Sequence, residues 1–269
     1  MPSLPSALAA ATAAASRAGD LMRANLSRPK KVNEATLHDI KLDLDVRCQR
    51  LITQSLAKAF PAIPVLGEEG IDPVAEKAPF RWVVDPIDGT VNFARGIPHA
   101  SVSIALQQST PSGFQTVVGV VHDPFMRETW TATLQSAARR NGKVIHVSSR
   151  PRLAEAVVSV GFAKSSQSLE QLLPLFAALT PKVCKLRLMG SAALALAYVA
   201  DGRFDAYIEA GIRLWDVAAG GLIIQRAGGV FDIQSLGQGH RYSLVSNNSL
   251  LDRPLRRVIR SAMTFPLAT

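Results

Sequence analysis

The chain has 269 residues, 48% hydrophobic and 19% charged, with two cysteines and a formal net charge of +9. That balance suits a soluble globule, built as one large domain or as two halves sharing a core. No apolar run approaches the ~20 residues of a membrane span, and Cys48 and Cys184 lack zinc or redox spacing. Both thiols are therefore expected to be buried in a reducing compartment.

The chain opens without a basic leader, so no signal peptide is expected. An alanine-rich stretch, about 6–26, reads as an amphipathic helix with Leu4, Leu8, Leu21 and Met22 as its apolar contacts. A second helix is expected over about 43–59. Strands follow near 63–67, 81–85, 101–108, 116–122 and 128–132. Ser101 through Leu106 alternates polar and apolar residues, the pattern of a half-buried strand. Asn141-Gly142 signals a hairpin turn. Arg150-Pro151 is a plausible boundary, dividing the chain into 1–150 and 151–269. The second half alternates strands near 157–161, 183–187, 205–209 and 230–233 with helices near 168–179, 191–200 and 217–227, and a basic helix closes it near 249–263. That rhythm indicates α/β layering.

The most informative stretch is Trp82-Val83-Val84-Asp85-Pro86-Ile87-Asp88-Gly89-Thr90. An apolar run ends in two carboxylates, then Gly-Thr. A strand tip would place Asp85 outside the sheet, and Pro86 would stiffen the exit. The Ile87 carbonyl and the Asp88 carboxylate could then face one point. Such hard oxygen donors select Mg²⁺ or Mn²⁺. Gly89 allows close approach to an anion, and a helix starting near Thr90 would offer free N–H groups to phosphate. Read alone, the segment is equally an ordinary turn. Glu68-Glu69 stands at another glycine-flanked turn, which alone reads as a solvated loop. Asp216 reads as the N-cap of the 217–227 helix. Ala218, Ala219, Gly220 and Gly221 require that helix to pack closely, because glycine within a helix costs up to ~1 kcal/mol against alanine.

Taken in order, these blocks resemble the inositol monophosphatase family of metal-dependent phosphomonoesterases. Val84 to Thr90 matches its first signature, Trp215 to Gly229 its second, and Gly67 to Glu69 the acidic turn upstream of both. The resemblance implies an αβαβα sandwich, with most metal ligands in the first half and Asp216 and the substrate contacts in the second. It implies that Glu68, Asp85 and the Ile87 carbonyl hold one Mg²⁺, and that Asp85, Asp88 and Asp216 hold another. Glu68 would also face a third, weaker ion, with Mn²⁺ as a substitute metal. Thr90, paired with Asp45, would position the attacking water. Backbone N–H groups of Gly89 and Thr90 would hold phosphate. Gly190, Ser191 and Ala192 would line the pocket, and Glu209 would touch substrate hydroxyls. A cytoplasmic homodimer acting on inositol monophosphate is the default expectation. Histidinol phosphate, fructose 1,6-bisphosphate and adenosine bisphosphates are alternatives on the same fold.

One block departs from the family pattern. Asp39 and Asp45 keep their spacing, but Lys41 and Leu42 replace a Val-Thr pair and Asp43 is added. On a strand, Lys41 would share a face with these acids and could neutralise them where a loosely held cation would sit. Otherwise Lys41 and Asp43 simply face solvent. His99 is expected to be a packed or rim residue, since Mg²⁺ prefers oxygen. The basic residues, among them Arg28, Lys30, Arg139, Arg140, Arg256 and Arg260, are scattered. They suit steering of anionic substrates better than binding of nucleic acid or transcription machinery.

Overall fold

Alanine spacing makes the first helix a packing element. In α1 (Leu4–Asn25), Ala7, Ala11, Ala14, Ala15, Ala18 and Met22 are all buried. Pro5 lies in the first turn, where its missing N–H costs nothing. The computed structural model describes residues 2–35, 40–71, 73–162, 166–237 and 239–262. After α1 come β1 (Val32–Ala35), β2 (Ile40–Leu42), α2 (Asp43–Ala59), β3 (Val65–Gly67), β4 (Gly70–Ile71), β5 (Phe80–Asp88), α3 (Thr90–Ala94), β6 (Ser101–Thr110), β7 (Gly113–Asp123), β8 (Glu128–Thr133), β9 (Arg139–Arg140) and β10 (Lys143–Val144). The remainder is β11 (Val157–Phe162), α4 (Ser166–Leu179), β12 (Lys185–Arg187), α5 (Ala192–Ala200), β13 (Ala206–Arg213), α6 (Leu214–Arg226), β14 (Val230–Ser235), β15 (Arg241–Asn247) and α7 (Asp252–Ala262).

These elements stack in five layers. An eight-stranded sheet runs β10-β9-β8-β7-β6-β5-β3-β4, and a five-stranded sheet runs β12-β11-β13-β15-β14. Helices α1 and α2 cover one face of the larger sheet. Helices α5 and α6 lie between the sheets, and α4 and α7 cover the far face of the smaller one. The architecture is the αβαβα sandwich.

The small residues of α6 are what let the middle layer close. A Cβ on Gly119 of β7 would stand 2.6 Å from the Ala219 carbonyl oxygen. One on Gly220 would meet Leu196 of α5 at 2.7 Å, and one on Gly221 would meet Phe231 of β14 at 2.4 Å. The consecutive glycines thus face two different neighbours. Gly220→Val is expected to destabilise the protein by about 1–3 kcal/mol, read from the midpoint of urea unfolding.

Several expectations change. Ser101 to Gln107 is buried along its whole length, not half-buried, because α1 covers one face of β6 and α6 the other. Its serines find partners there: the Ser103 hydroxyl donates to the Trp215 carbonyl at 3.0 Å. The 39–45 block is not one continuous strand. β2 ends at Leu42 and α2 starts at Asp43. Asp43 faces solvent and stands 3.9 Å from Arg47 one helical turn on, a loose surface pair. Asp39 and the Lys41 side chain lie outside what is described. Cys48 is buried but Cys184 is exposed. Burial pushes the Cys48 thiol up to about 12. A thiol reagent at pH 8 should therefore label Cys184 within minutes and spare Cys48 until the protein unfolds, as peptide mass mapping would show.

Candidate active site

A bulge brings the two signature aspartates together. In a regular strand, residues three apart point to opposite faces. Asp85 pairs with Ser103 and Asp88 with Ser101, so Pro86 and Ile87 together oppose Val102 alone. The extra residue returns Asp88 to the side of Asp85. Proline is tolerated there because the ladder is already interrupted. Asp85 is therefore inside the sheet, not beyond its tip, and β5 runs through to Asp88. The Asp85 carboxylate accepts from the Ile87 N–H at 3.0 Å, which fixes the bulge.

Two helix starts supply further acids in the same way. Asp216 is the third residue of α6, not its N-cap, and accepts from the Arg213 N–H at 3.0 Å. Asp45 is the third residue of α2 and accepts from the Leu42 N–H at 2.7 Å. In each case Oδ2 caps the helix, leaving Oδ1 for other work. Asp45 Oδ1 stands 3.5 Å from Thr90 Oγ1, whose hydroxyl also donates to the Ile87 carbonyl at 2.9 Å.

Asp85, Asp88 and Asp216 converge so that one oxygen of each lies within 4.8 Å of the others. They line a cavity of about 410 Å³ with Glu68, Ile87, Gly89, Thr90, Gly190, Ser191, Ala192, Tyr207 and Glu209. Burial raises the pKa of Asp85 well above the usual carboxylate range, and repulsion from Glu68, Asp88 and Asp216 adds to it. Asp216 is raised by burial and then by Asp88 and Glu68. Burial also raises Asp88, although hydrogen bonds from Ser191, Ala193 and Ala192 oppose the shift. Asp45 is pushed up to about 7, chiefly by burial, with Glu69 and Glu68 contributing. Two buried carboxylates and a half-buried one this close repel one another, and a cation would relieve that repulsion. An all-oxygen donor set with uncompensated negative charge fits a hard divalent ion.

The N-terminal turn of α5 holds Asp88. The Ser191 hydroxyl donates to Asp88 Oδ2, the Ala193 N–H does so at 2.9 Å, and the Ala192 N–H reaches Oδ1 at 3.2 Å. Gly190, Ser191 and Ala192 line the cavity, and the donors of Ser191 and Ala192 serve Asp88. Gly89 has φ +94°, and a Cβ there would stand 3.0 Å from the His99 carbonyl and 3.2 Å from that of Gly190. Only glycine fits this corner. α3 begins at Thr90, as the signature suggested. His99 is partly buried, packs edge-on against Tyr198 with ring centroids 6.2 Å apart, and has its pKa lowered by burial.

The residues alone did not announce three neighbours. The Tyr207 hydroxyl donates to Glu209 from the same face of β13, and the pair packs against Gly161, where a Cβ would collide with both. The period of two could have linked Tyr207 to Glu209. Asn92 donates to the carbonyls of His99 at 3.0 Å and Met189 at 2.8 Å, tying the signature helix to the 189–190 loop. Nothing in the local sequence signals that bridge.

The chain matches known proteins along most of its length. The family model described as "Inositol monophosphatase family" matches residues 4–252. The chain is 38% identical to the Nus factor SuhB of Pseudomonas aeruginosa over 224 residues, 81% of each protein. Its fold superimposes on the extragenic suppressor protein SuhB of Bartonella henselae with a TM-score of 0.87 and 31% identity, covering 96% of this chain and 99% of that one. The inositol monophosphatase of Anabaena gives 0.81 and 30%, covering 95% of each. The family-model match over residues 4–252, with relatives 34–38% identical over most of their length, makes this chain a member of the inositol monophosphatase family.

Proposed function

We propose that the protein is a divalent-cation-dependent phosphomonoesterase acting on a small polyol or sugar monophosphate, with inositol monophosphate as the first substrate to test. The observation that carries this reading is the convergence of Asp85, Asp88 and Asp216 within 4.8 Å in a cavity of about 410 Å³. Glu68, Asp85, Asp88, Asp216 and the Ile87 carbonyl would hold the ions, with Mg²⁺ as the proposed metal and Mn²⁺ as its substitute. Bound there, the ions supply charge neutralisation at the phosphoryl oxygens and activation of water.

The chain's own groups do the rest. The N–H groups of Gly89 and Thr90 hold phosphate oxygens in the corner that only glycine permits. Asp45 Oδ1, 3.5 Å from Thr90 Oγ1, is placed to accept a proton through the Thr90 hydroxyl. The α5 turn keeps Asp88 oriented. Glu209, steadied by Tyr207, receives substrate hydroxyls, and its negative charge disfavours a second phosphate there. A panel of phosphate esters assayed with and without Mg²⁺ tests the reading. Mg²⁺-dependent release of phosphate from polyol monophosphates supports it, and a clear preference for a bisphosphate replaces the substrate while keeping the chemistry. The division at residue 150, the homodimer and the cytoplasmic location belong to the same proposal. Among the described residues no helix is long and apolar enough to cross a membrane.

The names of the relatives favour a second reading. Proteins 34–38% identical to this chain carry the name Nus factor SuhB, so contact with transcription machinery has more weight than the scattered basic residues gave it. Both activities can reside in one chain. Co-purification with RNA polymerase across a salt series tests it. Retention that falls steeply with ionic strength supports contacts to a phosphate backbone, and no retention at low salt removes this reading.

A further inference from the structure

A second cavity, of about 960 Å³, opens on the other side of α6 from the acidic cleft. Leu214, Ala218 and Leu222 of α6 form one wall, and Phe231, Ile233 and Tyr242 of the β14–β15 hairpin form another. Arg81, Gln107 and Phe114 supply the third. Arg81 is the unusual member. It is only 5% exposed, yet among the described residues no carboxylate lies within ion-pair distance of it. The guanidinium carbon lies over Phe114, 3.5 Å from the ring centroid, and Nε donates to Gln107 Oε1 at 2.9 Å. Among the described residues no acceptor is hydrogen-bonded to its two terminal nitrogens, and Arg81 lines the cavity.

Burying a charge without a partner is expensive, and arginine cannot escape by losing its proton. Burial does press its pKa down, with Tyr242 and Glu76 acting the other way. The Gln107 amide is fixed in turn by donation to Thr116 Oγ1 at 3.2 Å, so the guanidinium is held in one orientation. The other acidic and basic side chains lining the cavity are Glu76 and His240. They face each other at 3.2 Å, and Glu76 is half exposed. Glu76 is therefore already paired and half exposed, while Arg81 is buried and has no carboxylate within ion-pair distance among the described residues. A planar cation backed by an aromatic ring and open on its hydrogen-bonding edge is suited to a bidentate oxyanion. The surrounding Phe114, Phe231, Tyr242 and Leu222 suit an apolar or aromatic body.

We propose that this cavity is a second ligand site, separate from the acidic cleft, which binds a small aromatic carboxylate or phosphonate-like oxyanion through Arg81. The probes are 1-naphthoate, 1-naphthylphosphonate and the neutral 1-naphthylmethanol, titrated calorimetrically into the full chain with EDTA present. One oxyanion probe should bind with a 1:1 stoichiometry, the better of the two telling carboxylate from phosphonate chemistry, while the alcohol binds at least about tenfold more weakly. Arg81→Gln should lose about tenfold or more in affinity. Phe114→Ala, which keeps the charge and alters only the half-buried backing ring, should weaken binding even if the arginine variant folds poorly. Asp85→Asn, in the acidic cleft, should bind the probe as the wild type does, which separates this site from the proposed phosphatase site. The proposal is overturned if neither oxyanion binds at millimolar concentration, if Phe114→Ala binds unchanged, or if Asp85→Asn abolishes binding.

Discussion

Asp85→Asn should reduce phosphate-ester hydrolysis by about 10³-fold or more while leaving a folded protein. The substitution is nearly isosteric. An amide oxygen at residue 85 can still accept from the Ile87 N–H, so the bulge that aims Asp88 survives. What is lost is a charged donor at the centre of the cluster, the one repelled by Glu68, Asp88 and Asp216 together. The same change relieves that repulsion in the cation-free protein, so its melting temperature without metal should equal or exceed that of the wild type. Loss of activity together with gained or unchanged stability is the signature of a residue held for function. Circular dichroism melts in EDTA, set beside steady-state rates in Mg²⁺, check both halves. A variant that kept full activity would remove Asp85 from the reaction.

Cation-free protein should lose stability as pH rises from about 4 to 8, and divalent cations should restore it most at the upper end. The sign follows from the direction of the shifts. A carboxyl group whose folded pKa lies above its unfolded value favours the fold while protonated, and that contribution disappears as pH climbs through the folded pKa. Asp45 moves from 3.8 to about 7, an effect of order 4 kcal/mol at about 1.4 kcal/mol per pKa unit. Asp85, Asp88 and Asp216 shift in the same direction. A cation that binds the ionised cluster competes with these protons. At 100 times its dissociation constant it adds about 2.7 kcal/mol, or roughly 5–10 °C in melting temperature for a chain of this size. At pH 5 the gain should shrink markedly. A gain that does not change with pH would mean that the ion binds elsewhere.

Much of the fold was legible because its signals are local. The alanine helix, the 43–59 helix, the Asn141-Gly142 turn and the βα rhythm of the second half depend on composition and period. All lie within a few residues of where they were expected, with Asn141 and Gly142 at φ 47° and 80°. The final strand β15 was missed, since Arg241-Tyr242-Ser243 carries no clean alternation at its start. The burial of β6 on both faces was misread because polar-apolar alternation cannot reveal that serines face a helix with acceptors to offer.

The site was legible in its residues and opaque in its construction. That Asp85 and Asp88 matter is plain from the sequence, but the bulge that puts them on one side is visible only in the register against β6. Asp216 reads as a cap in either account. Its true place, three residues into α6, came from Leu214-Trp215 joining the helix, which apolar spacing alone did not require. The α5 donors to Asp88 and the Asn92 bridge join residues about a hundred positions apart, and no local pattern encodes such contacts.

The central claim is that carboxylates from the bulge of β5, the β3–β4 turn and the first turn of α6 together hold the divalent ions that hydrolysis needs. The most direct measurement is an anomalous difference map from crystals soaked in Mn²⁺. Peaks are expected enclosed by Asp85, Asp88 and Asp216, with Glu68 on the neighbouring side. An active, Mn²⁺-dependent protein whose only peaks lie away from these side chains would contradict it.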